Sequence, residues 1–145
     1  MTSAQKEIAA SRKNTWYVEY LNKLDETALL PGSREYLTLL GENNIKIALG
    51  SASKNSPLIL NKLNISSFFD AVIDGNTVSR AKPDPEVFLK GAEALGLAPE
   101  ECVVFEDALA GIEAAKNGKM KVIGVGKPEN LPGADRHISS LLDML

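Results

Sequence analysis

Apolar residues occur in short runs that alternate with amphipathic segments from about residue 31 onward. Four runs predict buried strands, since each is short and ends at a glycine or an acidic residue: Lys46–Leu49, Ala71–Ile73, Cys102–Phe105 and Lys121–Val125. The segments predicted as helices are Ser33–Leu40, Ser56–Leu63, Pro85–Leu95, Ala108–Asn117 and a final short run, Ile138–Leu145. Strands separated by helices predict an α/β protein with a parallel sheet and helices on both of its faces.

The amino-terminal part of the chain follows a different pattern. Ala4–Leu24 is predicted to form one helix, because the apolar residues from Tyr17 to Leu24 have the i, i+3, i+4, i+7 spacing. The organisation changes at Pro31-Gly32. Residues 1–30 and 31–145 are therefore predicted to be two separate regions.

Composition excludes several classes of function. A net charge of -3 and a pI near 5.2 argue against nucleic acid or an anionic membrane as a partner. One cysteine, Cys102, and one histidine, His137, cannot form a zinc site or an internal disulfide. No apolar run approaches the roughly 18 residues of a membrane-spanning helix. We expect a globular protein of a reducing cytoplasm, with Cys102 in its core.

Three polar motifs stand where predicted strands end or helices begin. A hydroxyl-rich turn, Ser51–Asn55, follows the first strand, Lys82 precedes Pro83, and Glu106-Asp107 follows the third strand. Open α/β sheets bind ligands at the carboxyl ends of their strands. Hydroxyls, backbone N–H groups and a lysine suit a phosphoryl group, and two carboxylates suit Mg²⁺. Together the motifs predict a site for a phosphorylated ligand and magnesium.

Each motif has a simpler interpretation when it is taken alone. Ser51–Asn55 is also typical of a capping turn before a helix. Lys82 is also compatible with an ordinary exposed lysine in a loop, and Asp107 with a helix N-cap, for which Asp is a common residue. The order and spacing of the three motifs favour the functional interpretation.

In that order the motifs resemble those of the haloacid dehalogenase superfamily. Ser51 stands in Leu-Gly-Ser-Ala-Ser-Lys-Asn, Lys82 in Ala-Lys-Pro-Asp-Pro, and Glu106-Asp107 in Phe-Glu-Asp-Ala-Leu-Ala-Gly. Ser-Ala-Ser-Lys-Asn and the later Gly-Val-Gly-Lys-Pro-Glu are similar to the β-phosphoglucomutases of that superfamily. The resemblance implies a Rossmann-like core at 31–145 and a remnant of a helical cap at 1–30.

The resemblance also implies residue roles. Ser51, Lys82 and the backbone N–H of Ala52 would hold the transferring phosphoryl group. Four further residues would grip the second phosphate of a sugar bisphosphate: Lys13, Ser53, Lys54 and Asn55. Asp107 would bind Mg²⁺ directly, and Glu106 would bind it or orient a ligand. The family reaction would interconvert β-glucose 1-phosphate and glucose 6-phosphate through glucose 1,6-bisphosphate.

One family feature is absent from the sequence. The superfamily begins with a strand ending in Asp-x-Asp-Gly, which provides the nucleophile, and Asp-x-Asp occurs nowhere in these 145 residues. We interpret the sequence as the carboxyl-terminal part of such an enzyme, inactive alone, whose missing amino-terminal segment is a possible partner chain. Loss of that central strand is expected to leave two strand edges unpaired. A sugar-phosphate phosphatase and a non-enzymatic phosphate-binding module remain alternative functions.

Overall fold

The computed structural model describes most of the chain after residue 31 and three short pieces before it. The described residues are 4–5, 15–16, 18–19, 32–51, 54 and 56–145. The strands are β1 (Ala4–Gln5), β2 (Thr15–Trp16), β3 (Val18–Glu19), β4 (Lys46–Gly50), β5 (Ala71–Ile73), β6 (Val103–Glu106), β7 (Lys121–Val125) and β8 (Arg136–Ile138). The α-helices are α1 (Ser33–Glu42), α2 (Ser56–Lys62), α3 (Glu86–Leu95) and α4 (Leu109–Asn117).

The predicted alternation of strands and helices is confirmed for the region after residue 31. All four predicted strands form, and their bounds differ from the prediction by no more than one residue. For three of the four the reason is burial on both faces, since the last four residues of β4 and β7 and all of β6 are buried. A strand that is buried on both faces gives a continuous apolar run, which is easy to recognise.

The strands form two parallel three-stranded sheets. One has the order β2-β4-β5 and the other the order β6-β7-β8. In the first sheet Gly50 lies opposite Ile73, and in the second Glu106 lies opposite Gly124. All these strands run in one direction within their sheet, so the carboxyl ends of β4 and β6 are the places where loops leave the core.

Helices cover both faces of the strands, as predicted. Residues alternate along β4, with Ile47 and Leu49 in the cluster that contains α1 and α2 and Ala48 in the cluster that contains α3 and α4. Strand β6 alternates in the same way, with Phe105 on the first side. Both sheets therefore share the same two apolar layers. Cys102 is buried in the second layer, as expected, and is not in a disulfide.

The helix predicted over Ala4–Leu24 is wrong wherever the structure describes that range. Strands β1 and β3 pair with each other in antiparallel fashion, and β2 pairs in parallel with β4 at Lys46 and Ile47. Residues of β1 and β2 also approach β6, with Cα atoms within 8 Å. The β4 edge, which we expected to be unpaired, is therefore partly paired by the chain itself. Strand edges need hydrogen-bond partners when they are buried, and Thr, Trp and Val favour strands.

Residues 1–30 are also predicted to be the remnant of a helical cap. The assignment of residues 1–30 to a cap remnant stays a prediction, since most of that range lies outside the described residues.

The predicted carboxyl-terminal helix is only partly right. Arg136–Ile138 forms the edge strand β8, and the helical part is a short 3₁₀ turn, Leu141–Met144. A three-residue strand with a charged residue lacks the apolar run on which the prediction depended. Among the described residues, no helix has the length and apolar character needed to cross a membrane.

Candidate phosphoryl-transfer site

The centre of the site is a buried ion pair between Lys82 and Glu106. The Lys82 Nζ lies 2.9 Å from Glu106 Oε2, and the two side chains are 10% and 0% exposed. Lys82 belongs to the loop before α3, whereas Glu106 is the last residue of β6. Burying either charge alone would be costly. The exposed-loop interpretation of Lys82 is therefore wrong, and the pair joins two of the three predicted motifs.

The backbone that follows β6 stabilises the Glu106 carboxylate. Its Oε1 accepts hydrogen bonds from the N–H groups of Asp107 and Ala108, at 3.1 and 3.2 Å. The first turn of α4 passes so close that a Cβ on Gly111 would lie 1.9 Å from the Glu106 carboxyl carbon. Glycine is required there because the carboxylate occupies the space of a side chain. The ion pair and these hydrogen bonds together give both oxygens of this buried carboxylate a partner.

Ser51 lies beside this pair at the end of β4. The residue is 4% exposed, and its backbone N–H donates to the carbonyl of Ile73 at 2.9 Å. Ser51 and Lys82 line one small cavity of about 20 Å³. The first motif therefore meets the second as the sequence predicts. Since each residue leaves a parallel strand or its following loop at the same edge, the fold brings together residues that are distant in sequence.

Several predicted site residues cannot be placed. Lys13, Ala52, Ser53 and Asn55 lie outside the described residues. Lys54 is described and exposed, and its carbonyl accepts a hydrogen bond of 3.1 Å from the Asn76 side chain. An exposed lysine can reach a large ligand at this edge, but its proposed role with a second phosphate stays a prediction.

Asp107 is a half-buried carboxylate directly after Glu106. It is not the N-cap of α4, because that position belongs to Ala108 and has no side-chain cap. Asp107 thus stands one residue before the N-cap position of α4. Oxygen donors at a strand end fit a hard cation such as Mg²⁺ in kind. Within the described part of the chain, no group of three or more His, Cys, Asp or Glu residues could hold a metal ion. The fit is therefore partial, with Asp107 as the available direct ligand.

The loop that carries Lys82 is fixed by Glu86, which sequence reasoning missed. The Glu86 carboxylate accepts from the N–H groups of Ser79 and Arg80, at distances of 2.8 to 3.2 Å, and from the Ser79 hydroxyl. A hydrogen bond from Lys90 is the largest of the effects that lower the pKa of Glu86 to about 2; the backbone N–H of Ser79 comes next. The signal in the sequence is a glutamate shortly after a Ser-Arg pair, because a polar side chain can bond to backbone N–H groups a few residues away.

Phe88 is the second residue that sequence reasoning missed. Its ring lies under Lys82, with the ring centroid 4.8 Å from Nζ. The apolar spacing of α3 assigns this residue to the core, which is correct, since it is 1% exposed. Nothing in that spacing distinguishes a core phenylalanine from one that contacts a functional lysine.

With this geometry established, the family can be identified. The profile of the haloacid dehalogenase-like hydrolases matches residues 2–125. The chain belongs to this family. The resemblance stated from the three motifs is thereby confirmed, and so is the fold class, because the solved structures that it matches include members of the same superfamily.

Three relatives illustrate the similarity of this chain to known proteins. The chain is 41% identical over 143 residues to β-phosphoglucomutase of Bacillus subtilis, and the match covers 99% of this chain and 63% of that protein. It is 36% identical over 132 residues to hexitol phosphatase B of Escherichia coli, covering 86% of this chain and 60% of that protein. The solved structure of β-phosphoglucomutase from Clostridium difficile has a TM-score of 0.81 at 40% identity, covering 84% of this chain and 55% of that chain. The chain thus spans less than two thirds of the length of these relatives.

Proposed function

We propose that this chain supplies the lysine and acidic half of a phosphoryl-transfer site of the β-phosphoglucomutase type. The observation that carries the proposal is the buried Lys82–Glu106 pair next to Ser51. A buried lysine held by a carboxylate provides a fixed positive charge where a phosphoryl group gains negative charge. The similarity to β-phosphoglucomutase of Bacillus subtilis supports a phosphorylated hexose as the substrate class.

In this proposal the residues have the roles that the resemblance to the β-phosphoglucomutases implies. Lys82 neutralises charge on the transferring group, and Ser51 with the N–H of Ala52 holds its oxygens. Ser53, Lys54 and Asn55, with Lys13, bind the phosphate that does not react. Phosphoryl transfer depends mainly on such positioning and on electrostatic stabilisation.

Magnesium is the cofactor that the family implies. Asp107 is the direct ligand in our proposal, because Glu106 already has one oxygen on Lys82 and the other on two backbone N–H groups. Glu106 then acts by holding Lys82 and the start of the α4 turn. When bound, Mg²⁺ would supply positive charge beside the phosphoryl oxygens.

The nucleophile has no candidate within these residues, since they contain no Asp-x-Asp. We therefore expect the 145-residue chain to show only background turnover with β-glucose 1-phosphate, glucose 1,6-bisphosphate and Mg²⁺. An amino-terminal segment with an apolar strand and Asp-x-Asp-Gly, fused or supplied as a separate chain, should restore turnover. Such a strand would pair at the edge of β4, where, among the described residues, Thr15 and Trp16 lie opposite Lys46 and Ile47.

The experiment compares three variants in the restored protein. Lys82→Ala should lower kcat most, by roughly 10²–10³-fold, as removal of one charge-stabilising donor does. Ser53→Ala and Asn55→Ala should mainly raise KM for the bisphosphate, because they hold the non-reacting phosphate. Equal losses of kcat at all three positions with unchanged KM would contradict these roles. Turnover by the chain alone that survives repurification and is lost in Lys82→Ala would contradict the need for an added nucleophile.

A sugar-phosphate phosphatase is the second candidate. The similarity to hexitol phosphatase B of Escherichia coli favours it. The two activities differ in the acceptor, which is water in a phosphatase and a sugar phosphate in a mutase. Release of inorganic phosphate from glucose 1,6-bisphosphate by the restored protein, without formation of glucose 6-phosphate from β-glucose 1-phosphate, would favour the phosphatase.

Calorimetry tests the metal proposal on the chain as it stands. Mg²⁺ retains most of its waters and needs several convergent oxygens, so one carboxylate should bind it only weakly. Asp107→Ala should remove the weak heat signal. Asp135→Ala is the control, because Asp135 directly precedes β8 and is not one of the proposed site residues, and it should leave the signal unchanged. Tight stoichiometric binding by the unaltered chain would mean that a complete metal site exists here and that our ligand assignment is wrong.

A further inference from the structure

Lys82 is contacted from two different elements. The Glu106 carboxylate, which belongs to β6, lies 2.9 Å from the Lys82 ammonium group. The centroid of the Phe88 ring, which belongs to α3, lies 4.8 Å from the same group. A cation within about 6 Å of an aromatic face is attracted by it, and the attraction grows when water is excluded. Both side chains are nearly removed from water here, at 10% exposure for Lys82 and 1% for Phe88.

The position of the Phe88 ring depends on Gly50 at the end of β4. A Cβ on Gly50 would lie 3.1 Å from two carbons of the ring and 3.4 Å from a methyl group of Val87. The ring therefore uses the space that a side chain at the strand end would otherwise take. Because Gly50 precedes Ser51, this packing also joins the end of β4 to the lysine.

The ring differs from Glu106 in what it does to the ammonium group. A phenylalanine ring has no oxygen acceptor, so it stabilises the positive charge without accepting a conventional hydrogen bond. The carboxylate fixes one direction of the Lys82 side chain, and the ring restricts the other. A lysine has a long, flexible stem, and two contacts reduce the number of its accessible rotamers.

We propose that Phe88 is a positioning residue for Lys82, with Gly50 providing the space for its ring. The ring holds the ammonium group at the carboxyl end of β4, where it can meet the oxygens of a phosphoryl group. The role in phosphoryl binding rests on the proposed function, whereas the contact between ring and lysine does not.

The test uses the 145-residue chain with isotope-labelled lysine. The ε-CH₂ resonance of Lys82, assigned through Lys82→Arg, should be shifted upfield by the ring current of Phe88. Phe88→Leu should remove that shift, and Phe88→Tyr should retain it. Phe105→Leu is the matched control, since it removes a buried ring from the opposite apolar layer. An unchanged ε-CH₂ resonance in Phe88→Leu, or the same change in Phe105→Leu, would overturn the proposal.

Inorganic phosphate then measures the functional part. Its dissociation constant, followed on the Lys82 resonance, should rise about threefold to tenfold in Phe88→Leu, as expected for loss of a cation–π contact. Phe88→Tyr should restore the affinity. Equal phosphate affinities in the wild-type and Phe88→Leu chains would overturn the positioning role. Absence of any phosphate effect on Lys82 in the wild-type chain would count against the proposed function, while the ring-current result would still decide the contact.

Discussion

Two lysine–glutamate pairs, one between the loop before α3 and β6 and the other within the first two turns of α3, differ in burial. Lys82 and Glu106 are 2.9 Å apart with side chains 10% and 0% exposed, whereas Lys90 and Glu86 are 3.0 Å apart with side chains 43% and 18% exposed. The first pair joins a loop to a distant strand, and the second joins successive turns of one helix. Similar distances therefore accompany very different energetic consequences, because water screens only the second pair.

The largest expected effect comes from breaking the buried pair. Lys82→Met leaves the Glu106 charge without its partner in the core, and we expect a loss of about 3–5 kcal/mol in the free energy of unfolding. Urea denaturation at neutral pH measures it. Adding Glu106→Gln to Lys82→Met should recover part of the loss, since the unpaired charge is removed. Lys90→Met is the matched control at the exposed pair, and a loss there as large as in Lys82→Met would contradict the comparison.

The second prediction changes the space around the buried pair instead of its charges. Gly111→Ala places a Cβ 1.9 Å from the Glu106 carboxyl carbon, and we expect a loss of about 1–3 kcal/mol from overpacking. Gly41→Ala is the control, because a Cβ at that helical position meets nothing within 4 Å. It should stabilise the chain by about 0.5–1 kcal/mol, since glycine disfavours helix interiors. Equal effects of the two substitutions on urea denaturation would contradict the prediction that the Glu106 carboxylate leaves no room for a side chain at Gly111.

The third and smallest effect concerns the exposed pair and depends on pH. The Lys90 side chain and then the Ser79 N–H lower the pKa of Glu86 from 4.5 to about 2. A carboxyl group whose pKa is lower in the folded state stabilises the protein at pH values above its unfolded-state pKa. This stabilisation is lost as the pH falls through the folded-state pKa. The difference in unfolding free energy between wild type and Glu86→Gln should therefore be constant above pH 4.5 and decline towards pH 2.

Carboxyl NMR titration sharpens this third prediction. Lys90→Met should move the pKa of Glu86 back towards 4.5, because Lys90 makes the largest contribution to the shift. A Glu86 that titrates at the same pH in both proteins would place the cause with the loop N–H groups of Ser79 and Arg80 instead.

Sequence alone was sufficient for the central strands and the helices that pack on them. Residues of β6 are buried on both faces, so an unbroken apolar run such as Cys102–Phe105 reports directly on the sheet. Two of the three polar motifs, Ser51–Asn55 and Glu106-Asp107, are recognisable for the same reason, since each follows an apolar run at a strand end. Two short strands were not predicted: Thr15–Trp16 has too few residues to show a period, and Arg136–Ile138 has charged and polar residues where the equally short Ala71–Ile73 has an apolar run.

Only the tertiary structure decided which polar groups act together. Glu106 and Asp107 are adjacent carboxylates that could both serve a metal site, yet Glu106 is fully buried against Lys82 and Asp107 remains half-exposed. The loop around Lys82 is polar, so nothing local predicts that its ammonium group lies between a carboxylate and the Phe88 ring. Apolar periodicity is set by the nearest turns of the chain, and it can be read locally. The partner of a buried charge is set by elements that meet only when the sheet and its helices have assembled.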